Sequence, residues 1–280
     1  MTAITQQAPG HTRVSLPHAI KDTLVITKRN LLRNIRLPQL LFFATVQPVM
    51  FLLLFNFVFG GAIGGSLPAV AGGNYLNWLV PGLLIQVASF GSGQTALGLT
   101  EDLSKGVIER FRSLPMARSA VLAGRTLSDL IRNGLVITLM MTVGFLIGFR
   151  WQTSIFGLLG GMLVAMAFAY SLSWVMATIG LAVKNPEAAQ SAVFLPVFPL
   201  VFASSVFVPV QTMPSWLQGF AENQPISVTT NALRGLILGG EALPPGNTVA
   251  GTVLMALAWA TGILVVFAPL AVRMYRRAVG

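Results

Sequence analysis

The sequence predicts an all-α integral membrane protein with six transmembrane helices. Three observations carry that expectation. Of 280 residues, 54% are hydrophobic and only 9% are charged, against about 25% charged in a soluble domain. The mean hydropathy is +0.75; at ~20 residues per crossing, this apolar content bounds the spans to about six or seven. The basic residues are also sorted. Sixteen of the 18 Lys and Arg fall on one side of a six-span alternation, leaving Arg150 and Arg234 on the other. Such a split predicts that the basic side is the cytoplasm and holds both termini. The net charge of +10 therefore reads as membrane orientation, not as a nucleic-acid footprint.

The elements follow in order. Residues 1–15 are polar, without periodicity, and read as a disordered tail. Over 16–37, Ile20, Leu24, Leu31 and Ile35 share a narrow stripe, and Lys21, Lys28, Arg29, Arg33 and Arg36 occupy the neighbouring arc. This is a basic amphipathic helix suited to a membrane surface, where it anchors to anionic lipid or meets a partner protein. Pro38 separates it from the first span, 39–59, because the residue before a proline is pushed out of the helical region. An uncharged Gly-rich loop leads to the second span, 78–99, and a charged segment, 101–118, leads to the third, 119–149. Asp129 in that span has Arg125 at i−4 and Arg132 at i+3 as partners. The fourth span is 155–183, and a polar turn leads to the fifth, 189–208. The spans at 119–149 and 155–183 exceed one crossing and must tilt or project. The proline-rich stretch 209–247 lies outside, with a short helix over 229–238 and Glu222 placed to pair with Arg234. The sixth span is 248–272, and 273–280 is a cytoplasmic tail.

What the chain lacks narrows its chemistry. It has no Cys, hence no thiolate nucleophile and no Cys-based metal site. No G-x-x-x-x-G-K-[ST] loop is present, and the Gly-rich 91–95 run has no lysine and lies in a span. His11 and His18 form no zinc-hydrolase pair. Five of the six spans have no ionisable group in their interiors, which disfavours a proton-coupled carrier. Energy comes from elsewhere, or the protein only conducts.

Three segments are candidates for function. In 101–118, Val107, Ile108, Phe111 and Leu114 make an apolar side ringed by charges of both signs. That fits a docking helix for a partner, or an ordinary solvated loop at the membrane surface. Gly82, Gln86, Ser89 and Gly93 share one face of the second span, the pattern of close helix packing, with substrate contact as the alternative. Phe194, Phe198 and Phe202 form an i, i+4, i+8 stripe on the fifth span. It meets lipid or lines a central cavity.

The resemblance becomes specific in three runs: GVIERFRSLP over 106–115; FPLVFASSVFVP over 198–209, with MPSWL over 213–217; and NQPIS over 223–227, with ALRG over 232–235. Their order and spacing, along nearly the whole chain from about residue 20 to 277, resemble the permeases of the type-2 ABC exporter superfamily, daunorubicin-resistance branch. The resemblance implies an interfacial N-terminal helix, a cytoplasmic coupling helix between spans two and three, and a short extracellular helical hairpin between five and six. It implies a multi-pass plasma-membrane subunit paired with a second permease copy or paralogue and with two separate ATPase subunits. ATP and Mg belong to those ATPases, and no cofactor belongs to this chain. The expected ATPase-coupling residues are Glu101, Asp102, Lys105, Gly106, Glu109, Arg110 and Arg112. Gly106 allows a close backbone approach or a bend, and Pro115 ends the helix. The expected substrate-path residues are Gln86, Ser89, Phe194, Phe198 and Phe202. The substrate is an amphipathic drug, antibiotic or lipid-like molecule. The alternatives are a lipid-linked glycan or polysaccharide permease of the same superfamily, and a passive channel or scaffold.

Overall fold

The computed structural model describes residues 16–36, 38–63, 74–107, 118–183 and 185–279. They form helices joined by turns: α1 (Leu16–Arg36), α2 (Pro38–Leu54), α3 (Gly60–Ile63), α4 (Tyr75–Ser92), α5 (Gln94–Ser104), α6 (Arg118–Leu146), α7 (Ile155–Val183), α8 (Pro186–Phe202), α9 (Ser215–Asn223), α10 (Pro225–Leu238) and α11 (Val249–Val279). The tail expected at 1–15 lies outside the described residues.

Three stretches are long and apolar enough to cross a bilayer as single helices: Ser119–Leu146, Ile155–Val183 and Val249–Val279 without its last residues, ending at Arg277. The other three expected spans are shorter or interrupted. The first passes from α2 through a π turn, Phe55–Phe59, into α3. The second breaks for one residue at Gly93, between α4 and α5. The fifth stops at Phe202, and the chain turns through residues 203–209.

Local chemistry explains the helix ends. Asn74 accepts from the Leu76 N–H at 3.0 Å, and Asn185 from the Glu187 N–H at 2.9 Å, each satisfying an orphan donor of a first turn. Pro186 and Pro225 sit at helix starts, where the missing N–H costs nothing. The second case corrects an expectation. The helix expected to start at Thr229 begins at Pro225, so residues 225–228 are its first turn. Gln224 caps it, accepting from the Ile226 N–H at 3.1 Å. The tail expected at 273–280 is likewise helical through Val279, with Arg276 and Arg277 in the last turn of α11, where cations suit the helix dipole.

Helix α4 is the hub, buried along nearly its whole length against α6, α7 and α10. At one end of the molecule Leu99, Leu122, Leu181 and Tyr275 pack together. That end gathers the close of α5, α7 and α11 with the start of α6, and α1 lies beside it along α6. At the other end Tyr75 donates to the Phe207 carbonyl at 2.8 Å. Gln152 there donates its N–H to the Ile237 carbonyl at 3.0 Å. The expected outer hairpin is asymmetric. On α9, Trp216 and Phe220 are exposed, whereas α10 is buried from Ile226 to Leu238 against α4, α7 and α11.

Arg234 explains how α10 is held. The side chain is fully buried, and its guanidinium donates to the carbonyls of Trp78, at 3.2 Å, and Val206, at 3.1 Å. It also stacks 3.5 Å from the centroid of the Trp78 ring, an attraction strengthened by desolvation. The expected pair with Glu222 is not formed among the described residues; Glu222 is exposed. The buried guanidinium is instead stabilised by carbonyl dipoles and a π face.

Candidate functional site

The site begins where α1 meets α5. The Arg29 guanidinium donates to Asp102 Oδ1 at 3.1 Å, and Arg33 donates to the Glu101 carboxylate. Lys105 Nζ lies 3.8 Å from the same Glu101. Burial alone raises the Glu101 carboxyl, but the hydrogen bond and charge of Arg33, with Lys105 and Arg125, outweigh it and hold it below the usual carboxylate range. Helix α1 is seated on α6 by a close approach. Thr27 Oγ1 donates to the Gly124 carbonyl at 3.2 Å, and a Cβ on Gly124 would stand 2.8 Å from the Thr23 carbonyl oxygen. No other residue type fits there without separating the two helices.

This arrangement redistributes the expected coupling residues. Glu101 and Asp102 sit at the end of α5 and are engaged by α1. Gly106 has φ of +64°, and its N–H bonds the Leu103 carbonyl at 3.1 Å. It is the left-handed residue that terminates α5, which is the expected bend. Glu109, Arg110 and Arg112 lie outside the described residues.

Behind this junction, inside the helix bundle, is a buried ionic cluster. Asp129 Oδ2 lies 3.3 Å from Arg125 Nε, and Oδ1 lies 3.9 Å from Arg132 Nε. Thr95 Oγ1 donates to Asp129 at 2.7 Å. The two guanidiniums also reach the interrupted second span: Arg125 donates to the Gln94 carbonyl at 2.9 Å and Arg132 to the Gly91 carbonyl at 2.6 Å. Both carbonyls flank the break at Gly93, where a Cβ would lie 2.6 Å from Val193 on α8. The pairing of Asp129 was legible from its i−4 and i+3 neighbours. The contribution of Thr95, from another helix, was not.

The expected substrate-path residues separate. Ser89 is buried and donates to its own helix, at the Ile85 carbonyl, 2.7 Å away, so its hydroxyl is already engaged. Gln86 is buried with its Oε1 unpartnered. Phe194, Phe198 and Phe202 are half-exposed and form a ladder of rings 5.0 and 4.3 Å apart. The ladder continues at both ends, through Phe90 at 5.9 Å and through Phe207 at 5.0 Å, and from Phe207 to Phe55 at 4.6 Å. Phe90, Phe207 and Phe55 were missed because each lies on a different stretch of chain. The small-residue face of α4 does pack closely: a Cβ on Gly82 would stand 2.3 Å from the Val206 carbonyl oxygen.

Comparison with known proteins decides the family. Residues 21–238 match the family described as ABC-2 type transporter. The chain belongs to that family. The permease is 34% identical over 258 residues to the daunorubicin resistance ABC transporter permease protein DrrB1 of Streptomyces coeruleorubidus, covering 92% of this chain and 87% of the relative. It is 28% identical over 260 residues to the probable doxorubicin resistance ABC transporter permease protein DrrC of Mycobacterium tuberculosis, covering 92% and 90%. It is 24% identical over 215 residues to the inner membrane transport permease YadH of Escherichia coli, covering 76% and 83%. The chain is thus a multi-pass permease subunit of an ABC-2 exporter, homologous to drug-resistance permeases, and is not itself an ATPase. Membership implies an ATPase subunit as partner.

Proposed function

We propose that this permease moves an amphipathic drug, antibiotic or lipid-like molecule out of the cell, driven by two copies of a separate ATPase that carry the ATP and Mg. It works beside a second permease copy or paralogue in the plasma (inner) membrane. The spans number six, α2–α3 and α4–α5 counting as one each, with both termini cytoplasmic and the α9–α10 hairpin outside. The observation that carries the reading is the junction at the end bearing the termini. There α1, α5 and α6 are tied together by Arg29–Asp102, Arg33–Glu101 and the Thr27–Gly124 contact. The chain leaves this junction at Gly106 directly into the charged segment with Glu109, Arg110 and Arg112. A push on that segment by the ATPase passes through packed helices into α6. From α6 it reaches, by Arg125 and Arg132, the carbonyls flanking the break in the second span. This is a contiguous physical route between two sites.

The test is charge reversal in the segment. Glu109→Lys or Arg110→Glu sets like charges against each other at an interface, which costs several kcal/mol of specific association. Membrane levels should stay normal, since the apolar spans are untouched. Co-purification of the ATPase should weaken and export should be lost. Unchanged assembly and export in both variants would show that the segment is a solvated loop.

A further inference from the structure

A cavity of about 120 Å³ lies at the break in the second span, between α2, α4 and α6. Its walls include Gln47, Phe51, Gln86, Phe90, Arg132 and Asn133. Two of these carry an unpartnered buried polar atom, Gln86 Oε1 and Asn133 Nδ2, and a third, Arg132, brings a buried guanidinium whose Nε faces Asp129. Gln86, Arg132 and Asn133 are only 4%, 8% and 1% exposed. Buried polar atoms are nearly always hydrogen-bonded, so two orphans around one cavity point to a visitor. Asn133 Nδ2 is a donor, as is every nitrogen of the Arg132 guanidinium in the wall, and Gln86 Oε1 is an acceptor. Among the described residues the guanidiniums of Arg125 and Arg132 both lie against one carboxylate, that of Asp129, so the wall at Arg132 carries a surplus of positive charge. A cationic group is therefore repelled, and an acceptor oxygen bearing negative charge is favoured.

Size and surroundings define the rest of the ligand. A cavity of about 150 Å³ holds one benzene, so this one takes a head group and no more. Phe51 and Phe90 stand in its wall, and both continue into the ring ladder. Phe51 leads to Phe55 at 6.0 Å and Phe55 to Phe207 at 4.6 Å; Phe90 leads to Phe194 at 5.9 Å. The two arms meet where Phe202 lies 5.0 Å from Phe207. An apolar body leaving the cavity is met by aromatic faces along both arms. Arg132 is fourteen residues from the end of α6 at Leu146, about 21 Å at the helical rise. In an apolar core about 30 Å thick, the polar floor then sits roughly 10 Å from the inner boundary.

We propose that this cavity is the entry site for the anionic, acceptor-bearing head group of an amphiphile drawn from the inner leaflet, whose apolar body lies along the phenylalanine ladder. The proposal deepens the exporter reading and takes its sidedness from it. A carboxylate and a phosphate ester share the required chemistry, so the ligand is either an exported amphiphile or a membrane phospholipid.

The experiment uses the full chain in phosphatidylcholine nanodiscs and reads the motionally restricted fraction of spin-labelled probes. The probes are doxyl-labelled stearate at a pH where it is ionised, its methyl ester, and the matching alkyl trimethylammonium. The stearate should be held most tightly and the ammonium least. Asn133→Leu removes the free donor and should weaken the stearate about tenfold, as loss of one hydrogen bond to a charged group does. Val136→Phe fills the cavity from a buried wall position without removing a polar group, and should abolish the restricted fraction. It keeps the test decisive if a polar variant fails to fold. Repeating the measurement with phosphatidylglycerol in the disc separates the sources. Displacement of stearate assigns the site to phospholipid, and persistence assigns it to an exported amphiphile; both fit the proposed chemistry. Equal binding of all three heads, or stearate binding unchanged by Val136→Phe, overturns the site. Binding needs no ATPase, so a lost site with intact ATP-driven export refutes the cavity alone, whereas intact binding without export refutes the exporter reading alone.

Discussion

Asp129→Asn is the substitution whose outcome the structure constrains most tightly. Asp129 is 2% exposed and, among the described residues, is the one carboxylate in contact with both Arg125 and Arg132. The amide keeps the shape and still accepts from Thr95, but it leaves two buried guanidiniums without a counter-charge. Removing one partner of a buried ion pair costs about 3–5 kcal/mol. Here both arginines retain a backbone carbonyl, of Gln94 and of Gly91, which places the loss at the lower end. A loss of ~3 kcal/mol in a chain of this size lowers the melting temperature by roughly 6–12 °C. Thermal unfolding of the purified permease in detergent measures it. Because the cluster is shielded, the loss should persist in high salt, where exposed pairs are screened. Glu222→Gln removes the same charge at an exposed position and should stay within about 0.5 kcal/mol of wild type. An Asp129→Asn protein that melts with wild type, or a difference that salt erases, would refute the reasoning.

Two further outcomes are expected. Glu101 has a folded pKa below its unfolded value, so the stability it contributes through Arg33 is present above the ordinary value of 4.5 and is lost as pH falls through the lower folded value. A spin label at Ile20→Cys on α1 should gain mobility over that acid window, and Glu101→Gln should show the gain already at neutral pH. The chain has no native cysteine, so single thiols also report sidedness. An impermeant maleimide applied to intact cells should label Glu222→Cys and spare Ile20→Cys, and the reverse pattern would invert the topology.

Local signals carried much of the architecture. The fourth span was read at 155–183, and α7 is Ile155–Val183, because a long apolar run between polar turns is a strong signal at short range. The basic helix was legible from its stripe and arc, and ends at Arg36. What escaped depends on contacts between distant residues. Glu101 and Asp102 read as part of the surface that meets the ATPase, and nothing in the sequence showed that arginines about seventy residues away in the chain also engage them. Arg234 read as a partner for Glu222, whereas its acceptors are carbonyls of Trp78 and Val206, which no side-chain pattern announces. The start of α10 was within reach: Gln224-Pro225 is a cap followed by a proline at the first helical position, but Ser227 behind it looks like loop. Of the substrate-path residues, Gln86 stood out as a polar exception; the cavity around it joins three helices, and only tertiary packing reveals it.

The lock on Arg234 also imposes an order on biogenesis. Ribosomes deliver this chain from its N-terminus, so α4 with Trp78 is made 156 residues before the arginine that caps it. Until Arg234 arrives, the Trp78 carbonyl lacks that donor. The nascent bundle therefore waits with an open socket, and α10 is the plug that closes it. Arg234 thus joins a later-made helix to an earlier-made one across a buried end of the bundle.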